Sequence, residues 1–95
     1  MQNIIKVSTQ TNVQRLAKSI EQGLRQQESV NLVSVGAGAL NQKIKAVIEA
    51  SGRFYTKGVK LSYNHSFTNV SDGKVAISTK VLKERIGLIQ ATSAL

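Results

Sequence analysis

The feature that most constrains the fold is an abrupt change of periodicity within residues 33–52, which read VSVGAGALNQKIKAVIEASG. Val33 and Val35 close a β-branched run, and the small residues GAGA follow directly. From Leu40 the apolar residues recur at helical spacing instead, so the segment predicts a strand, a tight turn and a helix that Gly52 ends. The rest of the chain can be placed around this unit.

The small residues of the turn allow two interpretations. The free backbone N–H groups and the positive dipole end at the start of a helix can receive an anion. Alternatively, the glycines let the helix pack closely on a strand or on a second subunit, and we favour this packing role. A dinucleotide-binding fingerprint does not fit, because Asn41 occupies the position of its third small residue and no acidic residue lies near Thr56. The interface or anion-binding turn comprises Gly36, Ala37, Gly38, Ala39, Leu40 and Asn41.

Hydrophobic periodicity places further elements before this unit. Residues 4–7 predict a strand, and residues 13–24 predict an amphipathic helix with a basic outer face. Residues 30–35 predict a second strand that is apolar on both sides for part of its length, which is typical of a central strand. Such short links favour a right-handed parallel unit, after which the helix that follows Gly38 begins a second crossover.

Two strands are predicted after the second helix. Residues 59–67 alternate strictly and predict a half-buried strand whose apolar side includes Leu61 and Phe67. The Asp72-Gly73 pair signals a hairpin, and residues 75–81 alternate as its partner strand. The resulting order, βαβαββ, predicts two helices on one face of one sheet.

The composition indicates a small domain without cysteine. A chain of 95 residues makes one domain with a modest core, so self-association would help to cover apolar surface. The absence of cysteine excludes disulfides and thiolate metal sites. The N-terminus lacks a secretory signal, and no window approaches the roughly eighteen apolar residues of a membrane span. We therefore expect a soluble, cytoplasmic protein.

The charge balance is strongly positive. Thirteen lysines and arginines against five acidic residues give a net charge of +8, which is the electrostatic footprint of a nucleic-acid binder. The few aromatic residues are too scattered to indicate a base-stacking platform. An enzyme is not expected, because the acids are dispersed and no metal or cofactor motif is present. His65 alternates with the core-facing residues of its strand, which favours a structural histidine over a catalytic or metal-binding one.

Several short motifs resemble a known family. They are KVS at residues 6–8, VGAGALNQ at residues 35–42, IKA at residues 44–46, and Phe67-Thr68 before the hairpin. On these motifs the chain resembles the bacterial stage V sporulation protein S family, which is in turn similar to the archaeal Alba chromatin proteins. The resemblance implies an α+β, two-layer βαβαββ domain over residues 1–85, with two helices on a mixed four-stranded sheet and a C-terminal extension at residues 86–95. It also implies a homodimer, with tetramers left open, that binds DNA or RNA in the cytoplasm or at the nucleoid.

The chain departs from Alba at positions that contact DNA in that family. Thr9 and Gln10 stand where Alba proteins have a lysine pair, and the basic hairpin keeps little besides Lys74. We therefore expect a dimer that contacts phosphates through scattered cations with little base readout. The competing hypothesis is a sporulation regulator that acts by binding another protein. The candidate phosphate-contacting residues are Arg15, Lys18, Lys43, Arg53, Lys57 and Lys74.

Overall fold

A computed structural model describes residues 4–70 and 72–85, and the predicted C-terminal extension at residues 86–95 lies outside them. Four strands and two helices follow one another in the predicted order βαβαββ. They are β1 (Ile4–Val7), α1 (Val13–Gln26), β2 (Ser29–Ser34), α2 (Ala37–Tyr55), β3 (Val59–Asn69) and β4 (Val75–Arg85).

The strands form one mixed sheet in the order β1-β2-β4-β3. β1 and β2 are parallel, as a strand–helix–strand unit requires, and the other neighbouring strands are antiparallel. β2 is central, which confirms the prediction drawn from its apolar residues. Both helices pack on one face of the sheet, and the fold is the α+β architecture expected from the sequence.

The core lies between the helices and this face. α1 is amphipathic and begins at Asn12, whose side chain accepts a hydrogen bond of 3.0 Å from the backbone N–H of Arg15. Each large apolar side chain buried here contributes about 1.5–3 kcal/mol relative to exposure. The cluster comprises Val7, Leu16, Ala17, Ile20, Leu24, Val30, Leu32, Ala46, Val47, Ala50, Phe54, Leu61 and Val81.

α2 is longer than predicted, and the side that it buries is rotated about the helix axis from the apolar side that the spacing predicts. The helix continues through Gly52 and ends at Tyr55, before a turn that contains Gly58 with a φ of 76°. Its buried side is built largely from small residues such as Ala46 and Ala50, which let the helix approach the sheet closely. Ile48, one of the apolar residues that recur at helical spacing after Leu40, is consequently 63% exposed.

The prediction of a uniformly half-buried β3 is wrong for its second half. Leu61 is buried, but Tyr63 is 37% exposed and Phe67 is 80% exposed although it lies on the same side of the strand. β3 and β4 have 11 residues each, whereas β1 has 4 and β2 has 6. Phe67 lies at the level of Ser34, the last residue of β2, but it is on the edge strand β3, where neither helix covers it. Val75 lies beyond the end of β2 and is 59% exposed.

The interior position of Gly52 in α2 generates a prediction. No atom lies within 4 Å of a Cβ built at this glycine, so Gly52→Ala should raise the free energy of unfolding. The expected gain is about 0.5–1 kcal/mol, because alanine has fewer unfolded conformations to lose. Urea unfolding measures it, and Gly36→Ala is the contrasting control, since its φ of 87° should make alanine cost about 1–3 kcal/mol. Destabilisation by Gly52→Ala would instead support a helix that ends there.

Candidate nucleic-acid interface

The starts of both helices lie at one edge of the sheet. Because β1 and β2 are parallel, the segments that follow them and lead into α1 and α2 leave the sheet at the same end. The segments touch: Gln42 Nε2 donates to the backbone oxygen of Thr11 at 2.8 Å. A Cβ on Gly38 would lie only 2.5 Å from Cγ2 of Thr9. We call residues 8–12, residues 35–38 and the hairpin tip at residues 70 and 72–74 the loop edge.

A cleft of about 460 Å³ joins the hairpin tip to these segments. Lys74 lies beside the cleft lining at the tip, where its Nζ is 3.7 Å from Oδ2 of Asp72. Both side chains are well exposed, so this ion pair is screened by water and leaves Lys74 available to a phosphate. The cleft is lined by Lys6, Val7, Ser8, Thr9, Val33, Val35, Val70 and Asp72.

The small residues of the turn have roles within this chain. Gly36 precedes α2 with a φ of 87°, a conformation that favours glycine, and the helix start has no side-chain cap. Gly38 lies against Thr9, and Ala39 is buried. Ala37 and Asn41 are exposed and Leu40 is half-buried. The close packing expected of the turn therefore occurs against the same chain.

Arg15 and Lys18 lie on the exposed side of α1, and Arg15 belongs to its first turn at the loop edge. Neither makes an ion pair with a residue that the structure describes. The first turns of both helices also lack acidic residues, and the one described acid of the loop edge, Asp72 at the hairpin tip, is paired with Lys74. The electrostatic field at the loop edge is accordingly attractive to anions.

Arg53 and Lys57 lie elsewhere, at the junction between the two helices. Glu21 of α1 accepts from Arg53 Nη1 at 3.1 Å and lies 3.8 Å from Lys57 Nζ and 3.2 Å from Arg25 Nη2. The hydrogen bond from Arg53 is the main cause that lowers the pKa of Glu21, with further lowering by the neighbouring positive charges. Sequence reasoning missed Glu21, for which the only local signal is Arg25 at the helical spacing of four. Arg53 and Lys57 thus stabilise helix contacts and are separate from the loop edge.

Lys43 is the clearest correction to the predicted site, because its side chain is fully buried and cannot act as a surface cation. It lies on the same helical side as Ala39, Ala46 and Val47, and that side packs on the sheet. Its Nζ donates to the backbone oxygen of Ile77 in β4 at 2.8 Å. Burial lowers the pKa of Lys43 from 10.5 to about 8, because desolvation penalises the charged form.

His65 has a structural partner. Its Nδ1 lies 2.8 Å from Oγ1 of Thr79, which is fully buried on β4. The arrangement agrees with the structural role expected from the sequence. Within residues 4–70 and 72–85 no group of three or more His, Cys, Asp or Glu side chains is placed to hold a metal ion. Over the same residues, neither helix has the length and apolar character of a membrane span.

A second surface is apolar and uncovered. Ile48 and Tyr55 are each 63% exposed on α2, nearly half a helical turn from Arg53, which contacts α1. They therefore lie on the side of α2 that is turned away from α1 and toward β3, at the far edge of the sheet from β1. The exposed part of β3 continues this surface. We call Ile44, Ile48, Tyr55, Tyr63 and Phe67 the apolar flank.

Comparison with known proteins supports the fold and identifies the family. The family model of stage V sporulation protein S (SpoVS) matches residues 3–84 of the chain. Among solved structures, Alba from Thermoplasma volcanium is similar, with a TM-score of 0.54 and 11% sequence identity. The match covers 87% of this chain and 100% of that one. At this identity the likeness to Alba shows the fold alone, whereas the family model confirms the resemblance to the stage V sporulation protein S family.

The buried Lys43 generates a prediction about stability and pH. The folded-state pKa of about 8 lies below the usual 10.5, so between these values the unfolded chain binds a proton that the folded chain does not. The free energy of unfolding should therefore rise with pH across this window, by an amount of order 3 kcal/mol from this group. Lys43→Met should remove that rise, whereas Lys45→Met, at an exposed position of the same helix, should retain it.

Urea unfolding at several pH values between 8 and 10.5 measures the difference between the two variants. An equal rise in both would show that Lys43 titrates as an ordinary exposed lysine.

Proposed function

The chain belongs to the stage V sporulation protein S family, with an Alba-like fold, and we propose that it is a dimer that binds DNA or RNA through the phosphate backbone at the loop edge. The observation that carries the proposal is the convergence of two helix starts and the hairpin tip around one cleft. Free backbone N–H groups and positive dipole ends at such a place favour bound anions. A repeating polyanion could contact all three segments together.

The distribution of charge supports this role. The chain carries a net charge of +8, and the structure places the predicted phosphate-contacting cations in different surroundings. Arg25, Arg53 and Lys57 surround Glu21 and serve the helix junction. Arg15 and Lys18 are exposed near the loop edge without an ion pair to a described residue, so their charge is available to phosphates.

Low sequence specificity follows from the chemistry of the cleft. Its lining contains lysine, serine, threonine and valine side chains and one aspartate, but no aromatic ring, arginine or amide side chain. Arginine and amide side chains supply most bidentate contacts to base edges, and aromatic rings supply stacking. Phosphate contacts position a protein on nucleic acid without reading its sequence. We therefore propose binding that depends on charge and shape, and the proposal includes no catalytic step.

The apolar flank supports self-association. It exposes large side chains from a helix and a strand side by side, and such contiguous apolar patches are typical of interfaces. A second copy related by a two-fold axis would cover it with the same residues. The competing function, a sporulation regulator that binds another protein, would use this flank for a different partner.

The loop edge generates a binding prediction. Lys74→Ala and the double variant Arg15→Ala with Lys18→Ala should weaken binding to all duplex sequences alike. For every phosphate that is no longer neutralised, the slope of log affinity against log salt should fall in magnitude by about 0.9. Stability should change by no more than about 0.5 kcal/mol per substitution, since these side chains are exposed. Fluorescence anisotropy over a salt series, with urea unfolding alongside, measures both quantities.

Lys45→Ala is the matched control, because it removes one exposed charge from α2 away from the loop edge. Equal weakening by Lys45→Ala and Lys74→Ala would indicate nonspecific attraction to the whole basic surface. Absence of binding by the unsubstituted protein at low salt would favour the competing regulator.

The apolar flank generates a prediction about mass. Phe67→Ser should convert the dimer to a monomer in light scattering at micromolar concentration. A two-fold interface uses this side chain twice, and losing about 1.5–3 kcal/mol of burial each time should weaken association by at least about a hundredfold. The control is Ile4→Ser, since Ile4 is 59% exposed on the opposite edge strand. A monomeric unsubstituted protein would contradict the dimer.

A further inference from the structure

The face of the sheet opposite the helices is open and largely polar, with Ile4, Val33 and Leu82 as its larger apolar side chains. Strand register places Lys6, Val33, Ser78 and Ser66 in one row across this face, and Ile4, Asn31, Lys80 and Asn64 in the neighbouring row. These side chains alternate with the buried ones and point away from the core. No aromatic side chain from the described strands lies on this face, because Tyr63 and Phe67 belong to the other side.

The exposed charges of this face are mostly positive. Lys6, Lys60 and Lys80 are exposed, and none of them makes an ion pair with a residue that the structure describes. Among the described positions of the face the only acid is Glu84, which lies opposite Lys60 in the register. The flanking side chains are largely serine and asparagine, which donate hydrogen bonds to phosphate oxygens at little steric cost.

Lys6 connects this face to the loop edge, because it lines the cleft there and also belongs to the open face. Lys6 is level with Ser78 on β4, two strands away, and Lys80 follows Ser78 by two residues. In regular sheet geometry the Cα atoms of Lys6 and Lys80 are therefore about 12 Å apart. Lys60 lies one strand further across and four residues further along, about 14 Å from Lys80. The three lysines thus follow one bent line, which leaves the cleft across the strands and turns toward the strand direction at Lys80.

We infer that this line of lysines is the path of a single nucleic-acid strand that leaves the loop edge and crosses the open face. The inference rests on the proposed function and adds a ligand class to it. The path turns from the edge of the sheet onto its face. Duplex DNA has a persistence length of about 150 base pairs, so following such a turn within one small domain would cost several kcal/mol of bending free energy. A single strand can follow the turn without this cost, and its phosphates complement the positive face.

The experiment compares two double variants on two ligands. Lys60→Ala with Lys80→Ala removes the path, and Arg25→Ala with Lys45→Ala removes two exposed charges from the helix side as the control. The ligands are a short mixed-sequence single strand, as DNA and as RNA, and the blunt duplex of the same sequence. Anisotropy over a salt series gives affinity and slope, and light scattering gives the mass of each variant.

The expected result is a severalfold loss of single-strand affinity for the path variant, with a salt slope smaller in magnitude by about 1.4 for two phosphates. Its duplex affinity should equal that of the control variant. Unchanged single-strand binding by the path variant would overturn the inference while leaving the loop edge intact, and so would an equal decrease on both ligands. A change of mass would assign the face to a second copy. An unsubstituted protein that binds neither ligand would remove the proposed function and the path together.

Discussion

The close packing of α2 on the sheet is the constraint on which the other surfaces depend. Ala39, Ala46 and Ala50 face the sheet and keep the helix near it, and Gly38 lets the start of the helix lie against Thr9. This approach draws Lys43 into the interior, where one backbone carbonyl accepts its hydrogen bond. A charged group held in this way opposes folding at neutral pH, so the rest of the core must offset its desolvation.

The same packing determines which positive charges remain available. α1 and α2 meet at Glu21, where Arg53 of α2 bonds the carboxylate directly and Arg25 of α1 and Lys57 lie close to it. The loop edge and the open sheet face have few acids among the described residues. Asp72 forms an exposed ion pair with Lys74 and Glu84 lies opposite Lys60, so most of the positive charge on these surfaces is not neutralised. A net charge is therefore a poor guide to a binding surface until the internal ion pairs are known. Here the free charge lies on two adjoining surfaces.

The position and length of the hairpin separate the two kinds of surface. The helices leave Phe67 uncovered on the edge strand β3 at the level of Ser34, and Val75 extends past the end of β2. One side of the hairpin joins the exposed stripe of α2 as the apolar flank, and its tip reaches the loop edge. In the proposed function, self-association and nucleic-acid binding therefore use different parts of the same extended element.

The sequence by itself determined the order of the elements, the central position of β2, the family and the excess of positive charge, because these depend on local periodicity, motifs and composition. The sequence also identified Lys74 and the small-residue turn as candidate site residues, and the fold brings their segments together at the loop edge. Only the tertiary structure decided that Lys43 is buried, that Arg53 pairs with Glu21 across 32 residues, and that Phe67 lacks cover. Helical spacing identifies an apolar side but does not reveal how closely that side approaches its neighbour. Burial and ion pairing depend on elements that are distant in the chain, and only the folded arrangement brings those elements together.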